Sequence, residues 1–296
     1  MNDEKASGHG TGEVLFQVEN LHVTYRRPGE KAIEAVRGVS FDLHAGETLG
    51  IVGESGSGKS TIAKTLMLLQ PSSGGVARFR GKDIAAFTAA ERRQYRRDVQ
   101  MVFQDAVGSL NPRMTIRQAL GEALGQSDSS EVRGRQEEEE TTLGGVRGRQ
   151  SPRSLSQTPE SLLSLVGLSK AVLDQYPREL SGGQCQRASF ARALAVNPKV
   201  LVADEPVSAL DVSVQARILN LMRDLRRELG LAILLIAHDL SVVRNVCDRV
   251  CVMHRGLFED VGPAEDVFDH PQSDYTKNLL AAVPDVRRSL AARTPQ

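Results

Sequence analysis

Gly53-Glu54-Ser55-Gly56-Ser57-Gly58-Lys59-Ser60-Thr61 decides how the rest of this chain is read. It spells G-x-x-x-x-G-K-S, the pattern of a loop that cradles phosphates. The apolar run Thr48-Leu49-Gly50-Ile51-Val52 before it predicts a short buried strand, and Ile62 to Leu69 after it predicts a helix. That strand–loop–helix setting is what the motif requires. Glycines let the backbone curl so that successive N–H groups face one phosphate chain. The helix start adds its positive dipole end. In this pattern Lys59 reaches the β- and γ-phosphates, and the Ser60 hydroxyl is a Mg²⁺ ligand.

The composition sets bounds on the rest. The chain has 296 residues, formal net charge +0, 40% hydrophobic and 25% charged residues. It can build one large domain or two small ones. The charge balance argues against broad non-specific binding to DNA or to an anionic membrane surface. No run of about 18 apolar residues is present, so no spanning helix is expected. Residues 1–12 mix charges and lack the apolar core of a secretory signal. Cys185, Cys247 and Cys251 are too few for a disulfide framework, which points to a reducing compartment. The Cys247/Cys251 spacing fits half of a metal site or two buried thiols, and no second pair completes the former.

Around the loop, a small antiparallel sheet is expected from Val14 to Glu19, Leu21 to Tyr25 and Val39 to Leu43. Tyr25 reads either as an ordinary aromatic or as a platform for a purine. After the breaker Gln70-Pro71-Ser72-Ser73-Gly74-Gly75 come a strand at Val76 to Phe79, a helix at Ala89 to Arg97 and a strand at Val99 to Phe103. Gln104 ends that strand, as a polar terminus or as a ligand that senses Mg²⁺ or water. Met114 to Leu124 is periodic for a helix.

Residues 127–159 interrupt the pattern with Glu137-Glu138-Glu139-Glu140 and a Val-Arg-Gly-Arg-Gln repeat at 132–136 and 146–150. With few apolar residues to offset ordering entropy, the segment reads as a disordered insert. An Arg-Gly RNA-binding tail is the rival, disfavoured by the four glutamates and the lack of interleaved aromatics.

A helix resumes at Glu160 to Val166. Leu180-Ser181-Gly182-Gly183-Gln184 then opens a helix to about Val196, a second small-residue loop feeding a helix N-terminus. The buried strand Val200 to Ala203 ends in Asp204-Glu205, where acids suit a nucleotide site at a strand's carboxyl end. The first can orient Mg²⁺ and the second can take a proton from water. Val212 to Leu229 is amphipathic. Leu231 to Ala237 is a buried strand ending at His238, either a structural histidine or a γ-phosphate contact. A hairpin is expected over Val250 to Phe258, with short helices at Ala264 to Phe268 and Tyr275 to Ala282.

These residues in this order resemble the nucleotide-binding subunits of ABC transporters, over about Val14 to Pro284 without the insert. Leu180 to Gln184 is similar to the ABC signature. By that resemblance Tyr25 is the adenine-stacking aromatic and Gln104 the Q-loop glutamine. Asp204 is the Walker B aspartate and Glu205 the catalytic glutamate. Ser208-Ala209-Leu210-Asp211 is the D-loop, and His238 the switch histidine.

Asn111-Pro112-Arg113-Met114-Thr115, Ser181 to Arg187, Asp204 to Ser213 and Asp269 to Leu280 are similar to the oligopeptide/dipeptide importer ATPases. Cys185 resembles the F-type of their two ATPase subunits. Ser273-Asp274 departs from the His-Pro usual there, and the cysteines that hold an Fe–S cluster in some relatives are absent after Cys251.

The resemblance implies an α/β fold: a RecA-like P-loop core, an antiparallel β-subdomain and a helical subdomain. It implies an ATPase domain over 13–262, a helical subdomain over about 105–180 and an importer extension over 263–296. It implies ATP and Mg²⁺, with Gly53, Glu54, Ser55, Gly56, Ser57, Gly58, Lys59, Ser60 and Thr61 around the phosphates. Ser60, Gln104 and Asp204 hold the metal, while Glu205, His238, Gln104 and Lys59 serve catalysis. Ser181, Gly182, Gly183, Gln184 and Asp211 act at the nucleotide of a second ATPase, a D-type paralogue or another copy. The implied partners are two membrane permeases and an extracytoplasmic solute-binding protein, with no nucleic acid, at the cytoplasmic face of the membrane. Nickel or another solute is an alternative cargo. A soluble ABC ATPase of DNA repair or translation is the alternative class, against which the chain lacks a long coiled coil and tandem nucleotide domains.

A lowered thiol pKa is also expected for Cys185, from its place in the first turn of the signature helix. Alkylation there is then expected to inhibit ATPase activity.

Overall fold

The computed structural model describes residues 12–26, 29, 31–125, 158–208 and 210–282. Most of the expected insert at 127–159, nearly all of 1–12, and 283–296 lie outside the described residues, as does Ala209 of the expected D-loop.

Two sheets form the frame. β1 (Val14–Tyr25), β2 (Ile33–His44), β4 (Gly74–Phe79) and β5 (Lys82–Asp83) make an antiparallel sheet in the order β2-β1-β4-β5. β3 (Thr48–Val52), β6 (Val99–Val102), β7 (Val200–Asp204), β8 (Ala232–Ala237), β9 (Arg249–His254) and β10 (Leu257–Pro263) make the second. Its order is β10-β9-β3-β8-β7-β6, parallel except for the β9–β10 hairpin.

The parallel strands are mostly apolar because both faces are covered. Their period of two divides the residues between two cores. Leu201 and Ala203 of β7 join Ile233, Leu235 and Ala237 of β8 in the core shared with the helical side. Val200 and Val202 join Ala232, Leu234 and Ile236 in the core shared with the antiparallel sheet.

The helices are α1 (Lys59–Leu66), α2 (Ala89–Asp98), α3 (Ala106–Ser109), α4 (116–125), α5 (Pro159–Leu165), α6 (Gly182–Leu194), α7 (Val212–Leu229), α8 (Leu240–Val246), α9 (Ala264–Asp269) and α10 (Asp274–Ala281). None of the described helices is long and apolar enough to cross a membrane.

The expected elements are present, with shifted ends. α1 stops earlier than Leu69 because Leu68 takes φ 58. β1 runs through Asn20, at φ 47, with a bulge between Val18 and Leu21 that joins the two expected segments. β2 begins well before the alternating stretch, since its first residues lie exposed at the sheet edge and carry no period-two signal. α8 was not anticipated.

A buried ionic knot ties the two sheets where β2 turns into β3. His44 sits between Asp42 Oδ2 at 3.1 Å and Glu47 Oε2 at 3.0 Å. Arg249 donates to Asp42 Oδ1 at 3.0 Å and Glu47 Oε1 at 3.1 Å. Each charge is paired, which buried charges require.

Candidate functional site

The carboxyl ends of β3, β7, β8 and β6 lie side by side, and each delivers a site residue. Val52 leads into the 53–61 loop. β7 ends in Asp204-Glu205, β8 runs into His238, and β6 is followed by Gln104. In an open α/β sheet this edge is where ligands bind.

The loop needs its glycines for space as well as for dihedrals. Gly53 has φ 151, and an added Cβ would lie 2.0 Å from the Met253 carbonyl oxygen. Gly58 has φ 112, and its Cβ would lie 2.3 Å from the Ala35 oxygen. The loop is therefore pressed against β9 and β2. Its back is tied by the Gly256 N–H donating to the Ser57 oxygen at 2.9 Å. Ser57 Oγ is buried with no partner among the described residues.

Lys59 is 4% exposed, and its Nζ donates to the Gly53 and Glu54 oxygens at 2.8 and 2.7 Å. Burial pulls its pKa down, while Glu205, Asp204 and Glu54 act to raise it. Tyr25 is half-buried, with its hydroxyl 3.3 Å from Thr61 Oγ1, which fixes the ring beside the start of α1.

Ser60 Oγ donates to Asp204 Oδ1 at 2.9 Å. Burial raises the Asp204 pKa above the usual carboxylate range, the Ser60 bond opposes this, and Glu205 adds to it. The adjacent hydroxyl and carboxylate are hard oxygen donors of the kind Mg²⁺ takes.

Glu205 gathers the remaining polar groups. Its Oε2 accepts from Gln104 Nε2 at 3.3 Å and lies 3.2 Å from His238 Nδ1. Its N–H donates to the Ile236 oxygen at 2.9 Å. Its φ is 48, a left-handed conformation that a glutamate adopts at a cost of about 1–3 kcal/mol. Ser208, which the sequence placed in the D-loop without a contact to Gln104, donates to the Glu205 oxygen at 3.1 Å and accepts from Gln104 Nε2 at 3.1 Å. The local hint of that contact was its position three residues after Glu205, the spacing of a side-chain-closed turn.

The second glycine-containing loop lies apart. Ser181 caps α6 in a capping box with Gln184: Ser181 Oγ accepts the Gln184 N–H at 3.3 Å, and Gln184 Oε1 accepts the Ser181 N–H at 2.9 Å. Gly183 is buried against α7, where a Cβ would lie 2.4 Å from Val214 Cγ1. Ser181 and Gly182 are exposed. Among the described residues no hydrogen bond or ion pair joins 181–184 to 53–61. Asp211 is exposed at the start of α7, where its carboxylate caps the Val214 N–H at 2.9 Å and accepts from Ser213 Oγ at 2.8 Å. The Ser213 bond and then the Val214 bond hold its pKa below the usual range.

The expected reactive thiol is corrected. Cys185 is 0% exposed, donates from Sγ to the Pro177 oxygen at 3.3 Å, and has its pKa raised by burial. Desolvation outweighs the helix start. Cys247 and Cys251 are buried free thiols, with the Cys251 pKa pushed up to about 12 by burial.

Comparison with known proteins identifies the family. Residues 36–208 match the ABC transporter family. The chain is 44% identical over 252 residues to the oligopeptide transport ATP-binding protein OppF of Lactococcus lactis subsp. lactis, covering 85% of this chain and 73% of the relative. It is 43% identical over 272 residues to the dipeptide transport ATP-binding protein DppF of Lactococcus lactis subsp. cremoris, covering 91% and 81%. The OppF of Salmonella typhimurium is 44% identical over 280 residues, covering 92% and 78%. Among solved structures, a dimeric ATP-binding cassette in a post-hydrolysis state bound to ADP and Pi superposes with TM-score 0.67 at 28% identity, covering 84% of this chain and 99% of that one. The chain belongs to the ABC transporter family, as one of its ATP-binding and ATP-hydrolysing subunits.

Proposed function

We propose that this chain powers an importer of dipeptides or oligopeptides. The observation that carries the catalytic part is the convergence of Gln104, His238 and Ser208 on Glu205, beside the Ser60–Asp204 pair and Lys59. The names of the three relatives quoted above support the peptide part.

On this reading the 53–61 loop binds the phosphates through its backbone N–H groups, and Lys59 supplies the neutralising charge. Tyr25 stacks on the adenine. Mg²⁺ would be held by Ser60, Asp204 and the Gln104 side chain, and when bound it neutralises charge on the β- and γ-phosphate oxygens. Glu205 orients the attacking water and accepts its proton. His238, which shares the Glu205 Oε2 with Gln104, contacts the γ-phosphate. Gln104 touches both Glu205 and Ser208, so any shift of the Gln104 segment reaches the proton acceptor directly. Ser181, Gly182, Gly183, Gln184 and Asp211 serve the nucleotide of a second ATPase, a D-type paralogue or another copy. The pair drives two permeases at the cytoplasmic face of the membrane, supplied by an extracytoplasmic binding protein. The ATPase unit spans 13–262, with its helical subdomain over about 105–180, and 263–296 forms a C-terminal extension.

The test is uptake of labelled di-, tri- and pentapeptides, with nickel in parallel, in a strain lacking the gene. Complementation with wild type should restore peptide uptake, and Glu205→Gln should not. Loss of nickel uptake alone would keep the ATPase and overturn the peptide assignment. In vitro, Glu205→Gln should lower hydrolysis by about 10²–10⁴-fold with ATP binding retained.

A further inference from the structure

The phosphate loop has a contact from the far end of the chain that its motif does not require. The peptide group between Gly53 and Glu54 is held at both ends. Its oxygen accepts from Lys59 Nζ at 2.8 Å, and its N–H donates to the Tyr275 hydroxyl at 3.5 Å. Tyr275 lies in the first turn of α10 and is itself held. Its ring stacks on His254 at the end of β9, with centroids 4.0 Å apart and planes 10° apart.

The start of α10 is pinned to β10. Asp260 accepts from the Gln272 and Ser273 N–H groups at 3.3 and 3.0 Å. Ser273 Oγ donates to Glu259 Oε2 at 3.2 Å, and the other oxygen of Glu259 lies 3.5 Å from His254 Nδ1. Ser273 also caps the helix by accepting the Tyr275 N–H at 3.1 Å. Tyr275 thus sits on a frame whose hydrogen bonds reach β9, β10 and α10.

We propose that Tyr275 is a positioning residue for ATP binding: through the Gly53–Glu54 peptide it sets the orientation of the first turn of the phosphate loop and the place of the Lys59 ammonium. A rotation of this one peptide moves two things together, the oxygen that Lys59 leans on and the line of N–H groups that follows it. The hydroxyl acts from outside the loop and does not touch the reacting atoms. The extension after β10 is then part of the nucleotide site's support and not only an appendage. This inference rests on the reading of the loop as the ATP site.

The test uses the full chain and a fluorescent ATP analogue, with steady-state hydrolysis alongside. Tyr275→Phe keeps the ring on His254 and removes only the hydroxyl. It should weaken nucleotide binding and raise KM by about three- to fivefold, the share of one long hydrogen bond. Its kcat at saturating ATP and its thermal midpoint should stay at wild-type values. Lys277→Ala on the exposed side of α10 should change neither. Tyr275→Ala should weaken binding further, and Tyr275→Phe decides the matter if that variant does not fold. Wild-type affinity in Tyr275→Phe, or a fall in kcat at unchanged KM, overturns the positioning role and leaves the ATP site intact. Failure of the wild-type chain to bind the analogue overturns both readings.

Discussion

The two loops that feed helix N-termini, 53–61 and 181–184, share a chemistry and differ in how much of the chain stands behind them. The first is held by β9 through Gly53, by the β9–β10 turn through Gly256, by β2 through Gly58, by Lys59 from within and by Tyr275 from α10. The second closes on itself through the Ser181–Gln184 box, leaving Ser181 and Gly182 exposed. A phosphate site that must bind alone needs a rigid cradle, because ordering it at the moment of binding would cost affinity. A loop that acts on another subunit's nucleotide needs a fixed helix start and an open face. The difference is the one that the proposed division of a shared site requires.

The largest separation is expected between Lys59→Ala and Ser181→Ala. Lys59→Ala should abolish ATP binding by the isolated chain. Ser181→Ala should leave that binding unchanged, lower hydrolysis in the assembled transporter and destabilise the chain by about 1 kcal/mol through the lost cap. Fluorescent-nucleotide titration and denaturant melts read both. Equal loss of binding in the two variants would break the distinction.

Next come the glycines. Gly53→Ala must place a Cβ 2.0 Å from a backbone oxygen at φ 151, so it should melt lower and lose nucleotide binding. Strain alone is worth about 1–3 kcal/mol. Gly182→Ala meets only Leu210 Cδ2 at 3.5 Å, an ordinary contact, and should melt like wild type. Calorimetry of both variants checks the pair.

Asp204 tests whether the first site sacrifices stability for charge. Its folded pKa is raised, so the ionised form is disfavoured by folding at any pH above that value. Asp204→Asn should therefore be more stable than wild type at pH 7 and lack hydrolysis. The stability gain should shrink as pH falls through the raised pKa. A less stable Asp204→Asn at pH 7 would contradict this.

The smallest effect compares capping boxes. Thr88 and Glu91 cap α2 as Ser181 and Gln184 cap α6, but with a carboxylate. The Lys82 bond and then the Thr88 bonds lower the Glu91 pKa to about 2. A depressed pKa means that stability is present above the ordinary value and lost as pH falls toward about 2. Glu91→Gln should lower the melting point at pH 7 and have little effect near pH 2. Gln184→Ala should have the same effect at both.

Much of the site was legible because its chemistry fixes short spacings. Gly53 to Thr61 spell a loop that its glycines must curl tightly, and Asp204-Glu205 follow a strand that both sheet faces bury. The same logic exposed Gln104 and His238 as strand-end residues. The α8 helix was not legible, since Leu240–Val246 is too short for its apolar residues to show a helical period, and it is held by packing on β3 and β8. The reactivity of Cys185 was misread because a helix-start position is local, whereas its burial comes from the surrounding fold.

The sequence by itself determined the phosphate loop, the acids and histidine at the strand ends, and the signature loop, because each is a run whose backbone geometry and chemistry are set by near neighbours. Only the tertiary structure decided the bridging place of Ser208 beside Gln104, the burial of Cys185, and the contact of Tyr275 with the amide of Glu54, 221 residues away in sequence. Those contacts are closed by the packing of distant elements, which no local pattern of residues encodes.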